Sequence, residues 1–165
     1  MSPPDLAVRI EQVLAAHIPG YRALTRFERL SGGASQETWR IEIDSDTGPR
    51  LLAMRRAAGG RVDELNIGRP GLAGEARLMQ CAIAAGVPAP SVHYVLTRGD
   101  DLGDGFIMSW IEGEALGARI VRRPEFAGLR PGLAYEIGGI LARIHQIDID
   151  ANRLTEFLPT TPPQK

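Results

Sequence analysis

Three features of this sequence have types and spacings suited to handling a phosphate. Five small residues, Ser31-Gly32-Gly33-Ala34-Ser35, separate two strand-like runs in "FERLSGGASQETWRIEI". Small side chains let backbone N–H groups lie close to a ligand, and the Ser35 hydroxyl adds a donor. In Leu52-Ala53-Met54-Arg55, alternation sets a small residue and a cation, Ala53 and Arg55, on one face. On a helical wheel Glu75 shares a face with Leu72, Met79 and Ala82, while Arg77 and Gln80 point away. A carboxylate on an apolar face is costly unless a cation meets it. One consistent use is a planar base near Ala53, phosphates under the loop and on Arg55, and Glu75 paired with a cation on the sheet. Each feature also has a plainer use. The loop is a hairpin turn, Arg55 a solvated edge-strand residue, and Glu75 a rim carboxylate favoured by a helix start.

The elements that must position these residues follow from patterning. Asp5 caps a first helix, and Leu6, Ile10, Val13, Leu14 and Ile18 fall on one face until Pro19-Gly20 stops it. Ala23–Leu30, Thr38–Ile43 and Leu51–Arg56 read as three strands, the small loop being the first of two turns. Ala57–Gly74 is rich in glycine and expected to be mobile. A second helix spans about Leu72 to Ala85, closed by Gly86 and Val87-Pro88. Ser91–Thr97 and Phe106–Ile111 read as two further strands around an acidic, glycine-rich loop. After a polar connector comes the clearest helix, with Pro131 in its first turn and a stripe of Leu133, Ile137, Ile140, Leu141 and Ile144. The tail "TEFLPTTPPQK" has no core-forming pattern. This order predicts an α+β fold: a five-stranded, largely antiparallel sheet with a crossing helix, an added amino-terminal helix and a carboxy-terminal helix.

Composition narrows the function classes. The chain has 165 residues, 44% of them hydrophobic and 24% charged, as expected of a globular domain. A net charge of −1 gives no basic footprint for nucleic acid. No apolar run approaches a membrane span, and Asp5, Arg9 and Glu11 are at odds with a signal-peptide core. The lone cysteine, Cys81, leaves no internal disulfide, so the expected location is cytoplasmic. Three histidines and one cysteine, far apart, offer no zinc-site spacing. Lys165 is the only lysine among 19 basic residues; the other 18 are arginines. Any cationic role inside the fold therefore falls to arginine.

The small-residue loop between strands one and two, the base on strand three and the glutamate on the next helix together resemble the amino-terminal lobe of the protein-kinase-like fold. "LAMR" lies where kinases have V-A-I-K, and "FIMSWIEGE" resembles the fifth strand and hinge. The stretches "LSGGASQETWRI", "GEARLMQCAIAAGVPAPSV", "DLGDGFIMSWIEGE" and "LARIHQID" are, in this order, similar to the aminoglycoside phosphotransferase family of small-molecule kinases. That family often carries arginine where protein kinases have lysine.

The resemblance implies that Gly32, Gly33, Ala34 and Ser35 cradle the phosphates of ATP, that Ala53 lines the adenine pocket, and that Arg55 holds phosphate with Glu75 orienting it. It places Met108 as gatekeeper, with the backbone of Ser109, Trp110 and Ile111 against adenine. It implies ATP and Mg2+ as cofactors and a small-molecule hydroxyl as acceptor. The resemblance divides the chain into a kinase-like lobe at 1–111, a hinge and linker at 112–130, the first helix of a second lobe at 131–148 and a tail at 149–165. The catalytic H-x-D-x-x-x-x-N loop and the metal-binding aspartate belong to that second lobe. His145-Gln146-Ile147-Asp148 misses the spacing, and His145 reads as the end of the preceding helix. No catalytic or metal-binding residue is therefore assigned, and the 165 residues alone are expected not to transfer phosphate. The alternative is a non-catalytic nucleotide-binding or protein-interaction module, complete at this length and self-associating through the exposed lobe interface.

Overall fold

The amino-terminal stripe is buried as its spacing predicts. The computed structural model describes residues 3–30, 36–61 and 70–158. Helix α1 spans Pro3–His17, and Leu6, Ile10, Val13, Leu14 and Ile18 all pack into one apolar cluster with the sheet. The sheet has five strands, β1 (Tyr21–Arg29), β2 (Gln36–Ser45), β3 (Gly48–Ala57), β4 (Val92–Val95) and β5 (Gly105–Ser109). Their spatial order is β1-β2-β3-β5-β4, with every neighbouring pair antiparallel. The expected five-stranded antiparallel sheet is thus present, and β3 lies at its centre.

Strand β3 separates two cores because its side chains alternate. Leu52 and Met54 join Ile41, Ile43, Ile107 and helix α1 on one face. Ala57 joins Phe106 on the other, beneath Leu72 and Ala76 of helix α2 (Gly71–Ala84). The register places Arg40 and Met108 on either side of Ala53, and Thr38 and Phe106 on either side of Arg55. Arg55 therefore lies on the α2 side and Arg56 on the α1 side. The β4–β5 connection closes tightly over the end of β3. Gly103 has a φ of +80°, and a Cβ there would stand 2.2 Å from the Gly60 carbonyl oxygen, so both the backbone angle and the space call for glycine.

The carboxy-terminal third adds α3 (Gly117–Arg122) and α4 (Arg130–His145). The α4 stripe has the predicted spacing yet stays largely open to solvent: Ile137 is 54% exposed and Leu141 50%. The segment after α4 packs back on α2, which its sequence did not announce. Leu154 is buried, Cys81 Sγ donates to Asn152 Oδ1 at 3.4 Å, and the Phe157 ring lies against Gly74. Of the glycine-rich stretch 57–74 expected to be mobile, residues 62–69 lie outside the described residues, while Ala58–Gly60 form a short 3-10 turn and Gly71–Gly74 open α2.

Candidate functional site

The residues with chemical potential converge on the α2 side of β3. Arg55 extends from the strand and Glu75 from the first turns of α2, with Nη1 and Oε2 3.5 Å apart. Both side chains are only part-buried, at 41% and 31% exposure, so the pair sits at a rim. Gln36, the first residue of β2, joins them. Its Oε1 accepts from Arg55 Nε, and its Nε2 donates to Glu75 Oε1 at 3.3 Å. Amide, guanidinium and carboxylate thus close a ring of contacts. Of the five guanidinium donors, the Nη2 group has no partner among the described residues.

Gly32, Gly33, Ala34 and Ser35 lie outside the described residues. Ala53 is buried, between Arg40 and Met108 across the sheet. Met108 is part-buried and packs against the α2 cluster. Of the hinge residues, Ser109 donates its N–H to the Ser91 carbonyl at 2.8 Å and Trp110 donates to Leu51 at 3.3 Å. The Ile111 N–H has no backbone acceptor among the described residues, and its side chain is exposed. Arg55, Glu75, Ala53 and Met108 are therefore brought to one side of the sheet.

Sequence reading missed three side chains here. Gln36 is one. Arg40 is the second: its guanidinium lies 5.3 Å from the centre of the Trp110 ring, it pairs with Glu42 at 2.9 Å, and its buried Nε has no hydrogen-bond partner among the described residues. An open pocket of about 290 Å3 adjoins this rung, lined in part by Thr25, Arg40, Glu42 and Leu51. The third is Glu37. It turns to the α1 side and meets Arg56 Nε at 2.8 Å, with further hydrogen bonds from Trp39 Nε1 and the Gly59 N–H, each at 3.1 Å. Burial alone would raise this carboxyl's pKa; the hydrogen bonds from Arg56, Gly59 and Trp39 outweigh it and hold it below the usual carboxylate range. A Gln-Glu pair, Gln36-Glu37, and tandem arginines 19 positions on, Arg55-Arg56, are the only sequence signal for this arrangement, and it is a weak one.

The sequence profile of the phosphotransferase enzyme family (APH) matches residues 26–165. The chain belongs to that family. No curated protein matches it.

For a phosphotransferase, a cation held at Nε and Nη1, with Nη2 unpartnered among the described residues, is chemically apt, since guanidinium forks match phosphate oxygens. The near-miss motif at the end of α4 has a different use. Asp148 Oδ1 accepts from the N–H groups of Asp150 and Ala151 at 3.0 and 2.9 Å, and Asn152 Nδ2 returns to the Asp148 carbonyl. Asp148 therefore caps its own turn, and His145 ends α4 in solvent. Among the described residues no group of three or more His, Cys, Asp or Glu side chains could hold a metal ion. No helix among them is long and apolar enough to cross a membrane.

Proposed function

We propose that this phosphotransferase-family chain carries the ATP-binding lobe of a small-molecule kinase, which transfers the γ-phosphate of ATP to a hydroxyl of its acceptor. The observation that supports the reading best is the Arg55–Glu75 contact, formed on the same side of β3 as Ala53 and Met108. Buried Ala53 offers a flat apolar floor to a planar base, and the rim arginine two residues on offers donors to its phosphates. The Ile111 N–H is the hinge amide left to meet the base. Gly32, Gly33, Ala34 and Ser35 would cover the phosphates.

When bound, Mg·ATP supplies the phosphoryl group and the charge that the metal neutralises. This chain's part is to hold and orient it through Arg55, with Glu75 behind. A base for the acceptor hydroxyl and ligands for Mg2+ are assigned to the second lobe, consistent with Asp148 being occupied in its own turn. The acceptor is a small hydroxyl compound, and the setting is the cytoplasm.

Isothermal titration with Mg·ATP tests the reading. Arg55→Ala is expected to weaken binding by about 10- to 100-fold, the range for losing hydrogen bonds to a charged group. Equal affinity in the two proteins would refute the assignment of Arg55.

A further inference from the structure

We infer that Gln36 is a positioning residue for Arg55, the group that allows an arginine to serve at this place on β3. For its effect on nucleotide affinity the inference rests on the ATP-binding reading; for the orientation of Arg55 it rests on geometry alone. Gln36 pairs with Ala57 and Thr38 with Arg55, so Gln36 is the diagonal neighbour of Arg55 on the same face. Its amide spans the ion pair, accepting from Arg55 Nε and donating to Glu75 Oε1 at 3.3 Å.

The need for such a group follows from the weakness of the pair it joins. A 3.5 Å contact between two part-exposed side chains is a poor restraint on a long, flexible side chain. A lysine presents a single nitrogen and needs only one partner. A guanidinium is a planar fork, and a hold on Nη1 alone leaves it free to turn. The second hold, at Nε, fixes the plane and with it the position of Nη2, which has no partner among the described residues. The chemistry of the holder also matters. A second carboxylate would cancel the charge that a phosphate must meet, whereas a neutral amide orients the cation and leaves its charge intact. The same amide occupies Glu75 Oε1, so that Oε2 is the oxygen turned to Arg55.

The support behind Gln36 is stiff. The next residue, Glu37, is buried on the opposite face and bonded to Arg56, the neighbour of Arg55. The two adjacent pairs, Gln36 with Arg55 and Glu37 with Arg56, therefore rivet β2 to β3 from both sides. Gln36, at the start of β2, is fixed in place by the buried ion pair of the next residue.

The test is a double-mutant cycle on Mg·ATP affinity, run beside a readout that needs no nucleotide. Gln36→Ala is expected to weaken binding on the order of tenfold, the loss of one hydrogen bond to a charged group. In the Arg55→Lys background the same substitution is expected to cost much less, because a lysine has no Nε-type hold to lose. Gln36→Glu is expected to weaken binding as well, since it keeps the acceptor but offsets the charge. In parallel, 15N NMR follows the Arg55 side-chain Nε–H, assigned by its disappearance in Arg55→Lys. It should move and exchange faster with solvent in Gln36→Ala. An unmoved Nε–H signal overturns the inference, and so does an affinity loss that is the same with arginine or lysine at the position. If no form binds Mg·ATP while the signal moves, the ATP-binding reading fails and the positioning of Arg55 by Gln36 stands.

Discussion

Glu37 and Arg56 face each other across the β2–β3 ladder with carboxylate oxygen and Nε 2.8 Å apart, each side chain only 6% exposed. Such a pair adds little net stability, because desolvation offsets most of the attraction, but removing one partner strands the other charge. Arg56 Nη1 also donates to the Leu102 carbonyl at 3.2 Å, so a stranded guanidinium would disturb the β4–β5 connection as well. Glu37→Ala is expected to lower the unfolding free energy by about 3–5 kcal/mol. The paired change Glu37→Leu with Arg56→Met should recover most of that loss. Urea denaturation of the three proteins measures both effects, and a mild Glu37→Ala phenotype would mean that water reaches the pair.

The same carboxyl gives stability a sign in pH. Its folded pKa lies below the ordinary value of 4.5, so the folded state binds fewer protons than the unfolded chain. Glu37 therefore contributes stability that is fully present above the unfolded pKa and is lost as pH falls through the folded one. Unfolding free energy should decline on acidification below about pH 4.5, and Glu37→Gln should flatten that decline. Denaturation midpoints across this acid range in the two proteins provide the comparison. Parallel slopes would assign the acid sensitivity to other carboxylates.

Glu75 is a lesser contributor than Arg55. Glu75→Gln removes the countercharge but leaves the guanidinium charged and still bonded to Gln36. Exposed ion pairs are worth about 0.2–1 kcal/mol, so Mg·ATP affinity should fall by only about 1.5- to fivefold. Raising the salt concentration should narrow the gap between the two proteins further. Titration at two ionic strengths tests this, and a loss as large as that of Arg55→Ala would give Glu75 a direct role at the ligand.

Where burial follows a short period, the sequence is a sufficient guide. The α1 stripe and the alternation that assigns Ala53 and Arg55 to one face are local, and both are seen in the fold. Glu75 was conspicuous for the same reason, as a carboxylate where the helical period expects an apolar residue. Gln36 was not, because a glutamine after a small-residue loop has no unusual neighbours in sequence; its partners lie 19 and 39 positions away. Cys81 is buried, and its contact with Asn152 likewise comes from a segment 71 positions away. The α4 stripe illustrates the converse: Leu133, Ile137, Leu141 and Ile144 have helical spacing and are all exposed. Periodicity fixes which face is apolar and is silent about what covers it.

The two tryptophans provide a direct optical test of where a base would sit. Trp39 stacks on Phe27 with ring centres 4.5 Å apart, on the α1 side of the sheet. Trp110 lies in the proposed hinge, with the Arg40 guanidinium over its ring and its Nε1 bonded to Glu112 at 2.7 Å. Arg40 shares a rung with Ala53, so a base resting on Ala53 would have to share space with Arg40 or displace it. Either event changes the charge beside the Trp110 indole, to which indole emission is sensitive, and leaves Trp39 untouched. Adding Mg·ATP should therefore shift the emission of the protein and of Trp39→Phe alike, while Trp110→Phe should give no response. Arg40→Ala should keep affinity within a fewfold of the parent but alter the size of the change. A nucleotide signal that survives in Trp110→Phe and vanishes in Trp39→Phe would move the base to the opposite face of the sheet and with it the whole assignment of Ala53.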